Sequence, residues 1–462
     1  MEAGVRRVVV IGGGISGLSC AYDLARAGVD CTILEKQPRL GGVIQTRSLE
    51  NCLVEGGPDS FISIKPEALT LIKELGLESE VIGSNDHQRT TYILKNGKLV
   101  PLPDGVMMIV PTKAMPMVKS PLLGWATKIR MGLELMRKPG SQGDRSVAEF
   151  VIDHFGQETL DYLAEPLLSG VYGGDPRQLS VASVLPRFLE MEAKYGSLVR
   201  GALTAQRHPP PSGGTIFRTL KGGLGTLVDA LASKVKAPAV RVCQADAETI
   251  ERLDGGGFRV RAGGDWIEAT HVVLACPAWA ASSLLAELGR DLSRILGSIP
   301  YTSSLTLALI YRKSDFDGFR AGFGFLIPKK ERRRLVACTF VGTKFSYRAP
   351  EDRIVLRCFF GGEGDAAVLE EPDERLLGTA RDELQRILGL TAAPIAHAIS
   401  RWPQSMAQYT VGHTFRTREI ESLAAETPGL LLAGNAYQGI GIPDCVRMGR
   451  QAAARIINGS SS

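Results

Sequence analysis

The sequence predicts a multidomain α/β protein, an α+β chain built around one parallel sheet, and three observations near its start carry this prediction. The apolar run Val8–Ile11 is typical of a strand that is buried on both faces of a parallel sheet. Gly12, Gly14 and Gly17 follow at the spacing G-x-G-x-x-G and open a helix. A second strand, "DCTILE", ends in Glu35. Strand, glycine turn, helix and strand in this order predict a Rossmann-like unit that binds a dinucleotide.

Each part of this unit has a physical role. Gly12 permits the tight turn, Gly14 lets the backbone approach a pyrophosphate, and Gly17 allows the helix to pack closely on the strand. The pyrophosphate is expected at the helix N-terminus, where free N–H groups and the helix dipole favour negative charge. Glu35 is expected to accept hydrogen bonds from the ribose hydroxyls.

The residues after Glu35 indicate which dinucleotide is bound. In "EKQPRLGGVIQT", Arg39 and the pair Gly41-Gly42 resemble the R-x-G-G element of FAD-binding oxidoreductases of the glutathione-reductase type. Farther on, "VEGGPDSFI" resembles the loop at the flavin edge in the same superfamily. The alternative is a glycine pair that enters a strand beside a solvated arginine. The combination predicts FAD, bound without a covalent link.

Composition excludes several other classes. The 462 residues suffice for two or three domains. The net charge of +5 is small and diffuse, so a nucleic-acid partner is not expected. No uninterrupted run of about 18 apolar residues exists to span a bilayer. The start "RRVVVIGGG" lacks the apolar region of a signal peptide, which predicts a cytoplasmic protein.

The cysteines show no CxxC spacing, and several lie inside apolar, strand-like runs. We therefore expect free, mostly buried thiols in a reducing compartment, and neither disulfides nor a metal site. The eight cysteines are Cys20, Cys31, Cys52, Cys243, Cys276, Cys338, Cys358 and Cys445.

The dinucleotide-binding domain is expected to be discontinuous. "TLKGGLGTLVDALASKV" predicts a glycine turn that opens an amphipathic helix. A hairpin around Asp254-Gly255-Gly256 and the buried strand "HVVLACP" follow, and they return the chain to the cofactor domain. The backbone amide of Ala247 is expected to face the adenine. This domain is predicted to comprise residues 1–88, 206–288 and 398–462.

Two insertions account for the rest of the chain. Residues 105–205 carry segments with helical periodicity and a methionine-rich stretch flanked by basic residues. The methionines are interpreted either as an adaptable core or as a patch that contacts a membrane or a greasy entry channel. Residues 89–104 and 289–397 predict a sheet domain, where "GFGFLIP" and "RIVLRCFFGG" supply aromatic and aliphatic strands. Such a sheet can wall an apolar substrate cavity.

Several longer motifs show a specific resemblance. "EPLLSGVYGGDPRQLS", "GSLVRGAL", "RWPQSMAQYTVGH" and "GNAYQGIGIPDC" resemble the protoporphyrinogen oxidases, of the soluble bacterial type that also or mainly oxidises coproporphyrinogen III. The resemblance covers nearly the whole chain. It implies an FAD/NAD(P)-binding Rossmann-like domain of the p-hydroxybenzoate-hydroxylase type, a substrate sheet domain and a helical insertion that associates with membranes.

The resemblance also implies the site residues. The implied FAD contacts are Gly12, Gly13, Gly14, Ile15, Ser16, Gly17, Glu35, Lys36, Arg39, Gly42, Val43, Gly57, Pro58, Asp59, Ser60, Ala247, Trp402, Asn435, Ile440, Gly441 and Ile442. The implied substrate contacts are Gly170, Phe323, Leu326 and Phe359.

One position departs from the family pattern. Many members carry an arginine that can pair with a propionate where this chain has Thr91. Arg89 stands two residues earlier, would project from the same face of a strand, and is therefore a further candidate for the substrate site. The missing arginine resembles the branch that oxidises coproporphyrinogen.

The implied reaction is the six-electron oxidation of coproporphyrinogen III, protoporphyrinogen IX or both in heme biosynthesis, with O₂ as acceptor and release of H₂O₂. No catalytic side chain and no metal are assigned, because hydride passes to the flavin and the protein orients the ring. The product is expected to pass to a chelatase, and the protein is expected to be a monomer or homodimer at the inner face of the cell membrane.

Two rival functions were weighed. A flavin amine oxidase or carotenoid desaturase on the same fold would leave "PLLSGVYGGD" and "SMAQYTVGH" unexplained, and Cys445 is a weak candidate for a covalent flavin link. A non-catalytic binding protein would be expected to lose the flavin-edge glycines, which are intact. His413 is interpreted as a structural hydrogen bonder.

The glycine-rich turn near the C-terminus is expected to hold the flavin itself. The strand "GLLLAGNA" is predicted to lie beside the first strand, and "YQGIGIPD" to open the last helix with its N–H groups facing the flavin. Asp444 is expected to cap that helix.

Overall fold

The computed structural model describes residues 6–140, 143–207, 214–236, 238–316 and 321–459. The described residues contain these strands: β1 Arg7–Ile11, β2 Asp30–Glu35, β3 Thr46–Leu49, β4 Cys52–Glu55, β5 Phe61–Ile62, β6 Val81–Gly83, β7 Thr91–Lys95, β8 Lys98–Pro101, β9 Val106–Met107, β10 Val110–Pro111, β11 Phe217–Leu220, β12 Val240–Gln244, β13 Ala247–Arg252, β14 Phe258–Ala262, β15 Asp265–Ala269, β16 His271–Leu274, β17 Tyr301–Arg312, β18 Gly324–Leu326, β19 Ala337–Phe340, β20 Arg353–Gly361, β21 Ala396–Ala407 and β22 Leu430–Leu432.

The same residues form these α-helices: α1 Ile15–Arg26, α2 Glu67–Glu74, α3 Ala114–Lys119, α4 Trp125–Leu133, α5 Val147–Phe155, α6 Gln157–Thr159, α7 Glu165–Tyr172, α8 Val181–Val184, α9 Pro186–Tyr195, α10 Leu198–Arg207, α11 Gly225–Lys234, α12 Ala278–Leu284, α13 Arg290–Gly297, α14 Val341–Lys344, α15 Asp373–Leu388, α16 His413–Ala425 and α17 Ile442–Asn458. A π-helical turn, Leu160–Ala164, joins α6 to α7. Short 3₁₀ segments include Asp86–Gln88 and Glu134–Met136.

A parallel sheet of five strands, in the order β12-β2-β1-β16-β22, carries the cofactor half of the site. Val8, Val9 and Val10 of β1 are almost fully buried, as the apolar run predicts. The prediction that the last strand lies beside the first is wrong, because β16 pairs with both β1 and β22 and separates them. The predicted hairpin is present as β13 and β14. The α/β class is confirmed.

Helices α1 and α17, from opposite ends of the chain, pack directly on each other. The buried residues of α17 recur at helical spacing, at Cys445, Gly449, Ala452 and Ile456. A β-carbon on Gly449 would overlap the backbone oxygen of Ser16 in α1. Glycine therefore lets the two helix axes approach.

A mixed sheet of seven strands, in the order β21-β17-β20-β19-β18-β7-β8, forms the second half. One face packs on α15, where Leu356 of β20 shares a core with Leu384. Side chains alternate along a strand, so Thr306, Arg357 and Phe359 lie on the opposite face. That opposite face meets the flavin-edge loop.

The region between β8 and β11 is helical and combines buried and exposed methionines. Met117 and Met131 are buried, as an adaptable core predicts. Between residues 107 and 136 the other methionines and several large apolar side chains are exposed, and we call these residues the apolar patch: Met107, Met108, Met115, Val118, Trp125, Ile129, Leu133, Leu135 and Met136. Neither interpretation of the methionines therefore covers all of them.

A buried ionic cluster lies at the centre of the helical region. The His154 ring contacts Glu134 at 2.9 Å through Nδ1 and Glu192 at 3.2 Å through Nε2. Asp153, His154 and Glu192 have ligand atoms within 4.8 Å of one another, close enough for a metal ion. Arg145, however, already donates to Glu192 at 2.7 Å and to Asp153 at 3.2 Å. The cluster is therefore an ionic core that joins α5 to α9.

Eight cysteines carry free thiols, and six of them are buried; Cys276, expected inside an apolar strand, is half-buried, while Cys20 and Cys445 are buried in helices. None of the helices in the described part of the chain has both the length and the apolar character that a membrane span requires. The division into three domains stays a prediction, and its outer limits at residues 1 and 462 lie outside the described residues.

Candidate active site

The first glycine turn forms an open cradle at the N-terminus of α1. Gly14 is the N-cap of α1 and no side chain caps the helix. A β-carbon on Gly12 would lie 2.6 Å from the oxygen of Ala275, and one on Gly17 would overlap the oxygen of Gly12. At Gly14, by contrast, nothing lies within 4 Å of a β-carbon. Gly12 and Gly17 are therefore required by close contacts within the turn itself, whereas Gly14 leaves open space beside the free N–H groups of α1.

The acid at the end of β2 orients this turn. Glu35 accepts hydrogen bonds from the N–H groups of Gly13 and Gln37, each at 2.8 Å. Exposed Lys36 lies 4.0 Å from Asp246 at the rim. The structure therefore places Glu35 against the glycine turn, where its remaining acceptor capacity suits ribose hydroxyls.

Arg39 organises the R-x-G-G element. Its guanidinium donates to the backbone oxygens of Leu40, Gly42 and Ile44. Val43, next to it, is 40% exposed. Ala247 opens β13, which pairs with β14 beside the parallel sheet. The arginine thus holds the loop that follows β2 in one conformation.

The flavin-edge loop is held by the seven-stranded sheet. Trp402 donates from Nε1 to the oxygen of Gly56 at 2.7 Å, and the Thr306 hydroxyl donates to the same oxygen at 2.6 Å. Arg357 donates to the oxygen of Gly57. The three donors come from the adjacent strands β21, β17 and β20. The sheet therefore fixes the position of the loop through its carbonyl oxygens.

A compact group of charges adjoins this loop. Lys344 Nζ contacts the two carboxylate oxygens of Asp59 at 3.0 and 2.8 Å, and Ser60 donates to the same carboxylate at 2.6 Å. Burial raises the pKa of Asp59, but the charges of Lys344 and Arg357 outweigh it and hold that pKa well below its usual range. Asp59 is therefore an anion throughout the physiological pH range, and a poor base.

The turn before α17 supplies the last predicted cofactor contacts. Ile440 and Gly441 are half-buried and Ile442 begins α17, for which Gly441 is the N-cap without a side-chain cap. The prediction that Asp444 caps the helix is wrong. Asp444 lies inside the first turn of α17, and its carboxylate instead accepts from Lys65 Nζ at 2.6 and 2.7 Å.

Asn435 and His413 belong to one hydrogen-bonded layer below this turn. Asn435 donates to the oxygen of Ser405 at 2.9 Å, and Tyr409 donates to the oxygen of Asn435 at 2.8 Å. The His413 ring stacks on Tyr409 at 3.9 Å and contacts the oxygen of Tyr437 at 3.1 Å. Burial lowers the pKa of His413 to about 4. The structural role predicted for this histidine agrees with these contacts.

The predicted substrate residues lie on two facing elements. Gly170 is exposed on α7, and a β-carbon there would lie 3.4 Å from Cδ2 of Leu326 on β18. Phe359 is half-buried, with the Arg357 guanidinium 4.7 Å from its ring centre. Phe323, just before β18, is 8% exposed. Gly170 and Leu326 are thus directly opposed, and the substrate role of all four residues stays a prediction.

Arg89 does not lie in a strand. It follows the 3₁₀ segment Asp86–Gln88, and β7 begins only at Thr91. The expectation that Arg89 and Thr91 share one face of a strand is therefore wrong, because the chain turns between them. The role of Arg89 at the substrate stays a prediction.

Several residues of the site were not predicted from the sequence. Thr306 and Arg357 each lie between two apolar residues inside strands β17 and β20, a signal that could have been used. Lys344 and Lys65 follow no pattern, since each meets its carboxylate across more than 280 residues of chain. These four residues hold the loop and the helix start on which the cofactor contacts were placed.

The residues present fit FAD. The open space at Gly14 suits a pyrophosphate on the N-terminus of α1, and Glu35 lies where it can accept the ribose hydroxyls. The uncapped start of α17 offers a second set of free N–H groups.

The family of flavin containing amine oxidoreductases matches residues 15–457. Coproporphyrinogen III oxidase of Bacillus subtilis (strain 168) is 32% identical over 468 residues, which cover 98% of each chain. Chloroplastic protoporphyrinogen oxidase 1 of Arabidopsis thaliana is 28% identical and is matched over 97% of this chain and 88% of its own.

A crystal structure from Exiguobacterium sp. 255-15, of a protein named provisionally as a protoporphyrinogen oxidase, superposes with a TM-score of 0.88 at 31% identity and covers both chains completely. The predicted FAD cofactor is confirmed by the family match. The chain belongs to the flavin-containing amine oxidoreductases and, within them, to the family of the coproporphyrinogen III and protoporphyrinogen oxidases.

Proposed function

We propose that this protein oxidises coproporphyrinogen III by six electrons to the porphyrin, in three two-electron steps with O₂ as the final acceptor. The observation that carries the proposal is the similarity to a coproporphyrinogen III oxidase over 98% of both chains. Thr91 also supports this substrate, because the absence of an arginine at this position resembles the branch of the family that oxidises coproporphyrinogen.

The reaction needs little from side chains. A porphyrinogen methylene lies between two pyrroles that stabilise positive charge, so it can release a hydride. FAD supplies the acceptor of the hydride, and its reoxidation by O₂ gives H₂O₂. Thr306, Arg357 and Trp402 fix the loop at the flavin edge, while Gly170 and Leu326 are placed to hold the ring in an apolar slot.

The purified protein provides the test. It should be yellow, lose its flavin colour when coproporphyrinogen III is added anaerobically, and regain that colour in air with production of H₂O₂. The ratio of kcat/KM for coproporphyrinogen III to that for protoporphyrinogen IX should exceed one. Failure of both porphyrinogens to bleach the flavin would refute the function, and a ratio below one would refute the preferred substrate.

We also propose that the apolar patch contacts an anionic membrane surface. Trp125, Ile129 and Leu133 recur at intervals of four residues along α4 and form one exposed stripe, with Trp125 66% and Ile129 61% exposed. Basic residues, Lys113, Lys128 and others, lie in the same segment. Apolar side chains beside cations suit the boundary between lipid head groups and acyl chains.

Vesicle sedimentation tests this contact. The protein should sediment with vesicles that contain phosphatidylglycerol and less with pure phosphatidylcholine. Ile129→Glu combined with Met136→Glu should abolish binding, whereas Trp266→Glu, which changes an exposed aromatic on β15, should not. Equal sedimentation of all variants would contradict the proposal. We further propose that the protein, as a monomer or homodimer, binds at the inner face of the cell membrane. A chelatase could receive the product there.

A further inference from the structure

The predicted substrate slot has Gly170 on one wall and Leu326 on the other, and these two walls lie close together. A methyl group on Gly170 would already lie 3.4 Å from Leu326. The relative position of α7 and β18 therefore sets the space beside Gly170 in which a ring edge is proposed to lie. The residues that control this spacing should control substrate binding.

A buried carboxylate ties these two elements together. Glu165 is the first residue of α7 and is 7% exposed. One of its oxygens accepts from the backbone N–H of Lys329 at 2.8 Å, and the other accepts from Nη2 of Arg332 at 2.9 Å. We call Glu165, Arg332 and the backbone N–H of Lys329 the tether.

The tether acts next to both walls. Arg332 also donates to the oxygen of Ile327 at 3.0 Å, and Ile327 directly follows Leu326. At its other end, Glu165 and Gly170 belong to the same short helix. The loop between β18 and β19 is thus tied to α7 by hydrogen bonds of one carboxylate and one guanidinium, and Arg332 also donates to the Ser169 hydroxyl of α7 at 3.4 Å.

The helical geometry is irregular just before Glu165. The π-helical turn Leu160–Ala164 joins α6 to α7. Such turns are rare within helices and occur often at functional sites. This turn places the extra residue immediately before Glu165. A buried carboxylate also requires its partners, since loss of one leaves an uncompensated charge in the interior.

A small cleft of about 20 Å³ lies beside the tether, and its lining includes Glu165, Arg332, Gly173 and Gly362. The tether therefore lies at the border of the packed interior.

We propose that Glu165 is a positioning residue that sets the width of the porphyrinogen slot, by tying the loop after Leu326 to the helix that carries Gly170. This inference rests on the proposed function, because the slot is assigned through that function. Glu165 itself does not touch the ring; it acts through the spacing of Gly170 and Leu326.

Glu165→Ala and Glu165→Gln test the proposal in the FAD-loaded protein. Glu165→Ala should raise KM for coproporphyrinogen III and the Kd of the product coproporphyrin III by about tenfold, a change of about 1.4 kcal/mol. Its kcat and flavin spectrum should stay close to those of the unchanged protein. Glu165→Gln keeps an acceptor for Lys329 and should fall between. Unchanged KM and Kd in Glu165→Ala would overturn the proposal.

An exposed pair that bridges the same two regions is the matched control. Lys330 contacts Asp161 at 3.2 Å, and this pair also joins the loop to the helix before α7. Lys330→Met should leave KM unchanged, since exposed ion pairs contribute little. If Glu165→Ala does not fold, Arg332→Met cuts the tether from its accessible end and should show the same rise in KM.

Coupling to Gly170 distinguishes positioning from a loss of stability. Gly170→Ala should raise KM in the otherwise unchanged protein, and the rise should be much smaller in the Glu165→Ala background, where the loop can yield. A purely structural role predicts additive effects, which would refute the proposal. Absence of turnover and of coproporphyrin III binding in the unchanged protein would instead refute the proposed function.

Discussion

Gly14→Ala is expected to weaken FAD binding strongly without harming the fold. The backbone of Gly14 is extended, with φ −71° and ψ −179°, which alanine adopts without strain. Nothing lies within 4 Å of the added β-carbon in the protein itself. The methyl group would therefore occupy only the space that the pyrophosphate needs at the N-terminus of α1.

This geometry determines the expected changes in the stability of the apoprotein and in its affinity for FAD. Alanine restricts the unfolded chain, so the apoprotein should gain about 0.4–1 kcal/mol in free energy of unfolding. Displacement of the pyrophosphate by a methyl group costs at least one hydrogen bond to a charged group, about 1.5–3 kcal/mol. That loss corresponds to an increase in the Kd of FAD of roughly 10- to 150-fold.

The assay compares three glycines in the apoprotein, with the Kd of FAD from fluorescence quenching and Tm from thermal melting. Gly378→Ala, in α15 with open space around it, should raise Tm and leave the Kd unchanged. Gly17→Ala should prevent folding, because its β-carbon would overlap the oxygen of Gly12. A Gly14→Ala protein that binds FAD normally, or whose apoprotein is unfolded, would refute the reasoning.

Three further outcomes are expected from single substitutions. Trp402→Phe removes the 2.7 Å hydrogen bond to Gly56 and should weaken FAD binding by about fivefold to tenfold, measured by the same quenching assay. Lys344→Met should raise the pH midpoint of acid unfolding, because the contribution of Asp59 is present above its unfolded pKa of about 3.9 and is lost as the pH falls below it. His413→Phe should remove the loss of stability between about pH 6.5, the unfolded pKa, and about pH 4, its folded pKa, where the buried ring must otherwise become charged. An unchanged pH profile in either of the last two variants would contradict the charge assignments.

Features that depend on neighbours in sequence were predicted well. Strand β1, the glycine turn, α1 and Glu35 follow from a local pattern of apolar, small and acidic residues, and the structure places Glu35 against Gly13. The hairpin β13–β14 and the start of α17 were predicted for the same reason. The resemblance added the residues at the flavin edge, which no periodicity could indicate.

Features that depend on distant pairing were not predictable. Strand β16 lies between β1 and β22 because it occupies the free edge of the sheet beside β1. Apolar strands of similar length give no sequence signal that shows which of them takes that edge. Asp444 was predicted to cap α17 from its place at the helix start, and the local sequence could not indicate its actual partner, Lys65, which lies 379 residues away. No sequence pattern indicated the role of Glu165. Its two partners, Lys329 and Arg332, belong to a charged loop that has the composition of a solvent-exposed surface.

The contact between α1 and α17 also determines when the protein can hold its cofactor during synthesis. Arg450 of α17 donates to Asp23 of α1 at 2.9 Å across 427 residues of chain. Contacts of such long sequence separation form late and slow the folding of a chain. The chain must therefore be synthesised at least as far as α17 before the FAD pocket can close, because α1 lacks its packing partner until then.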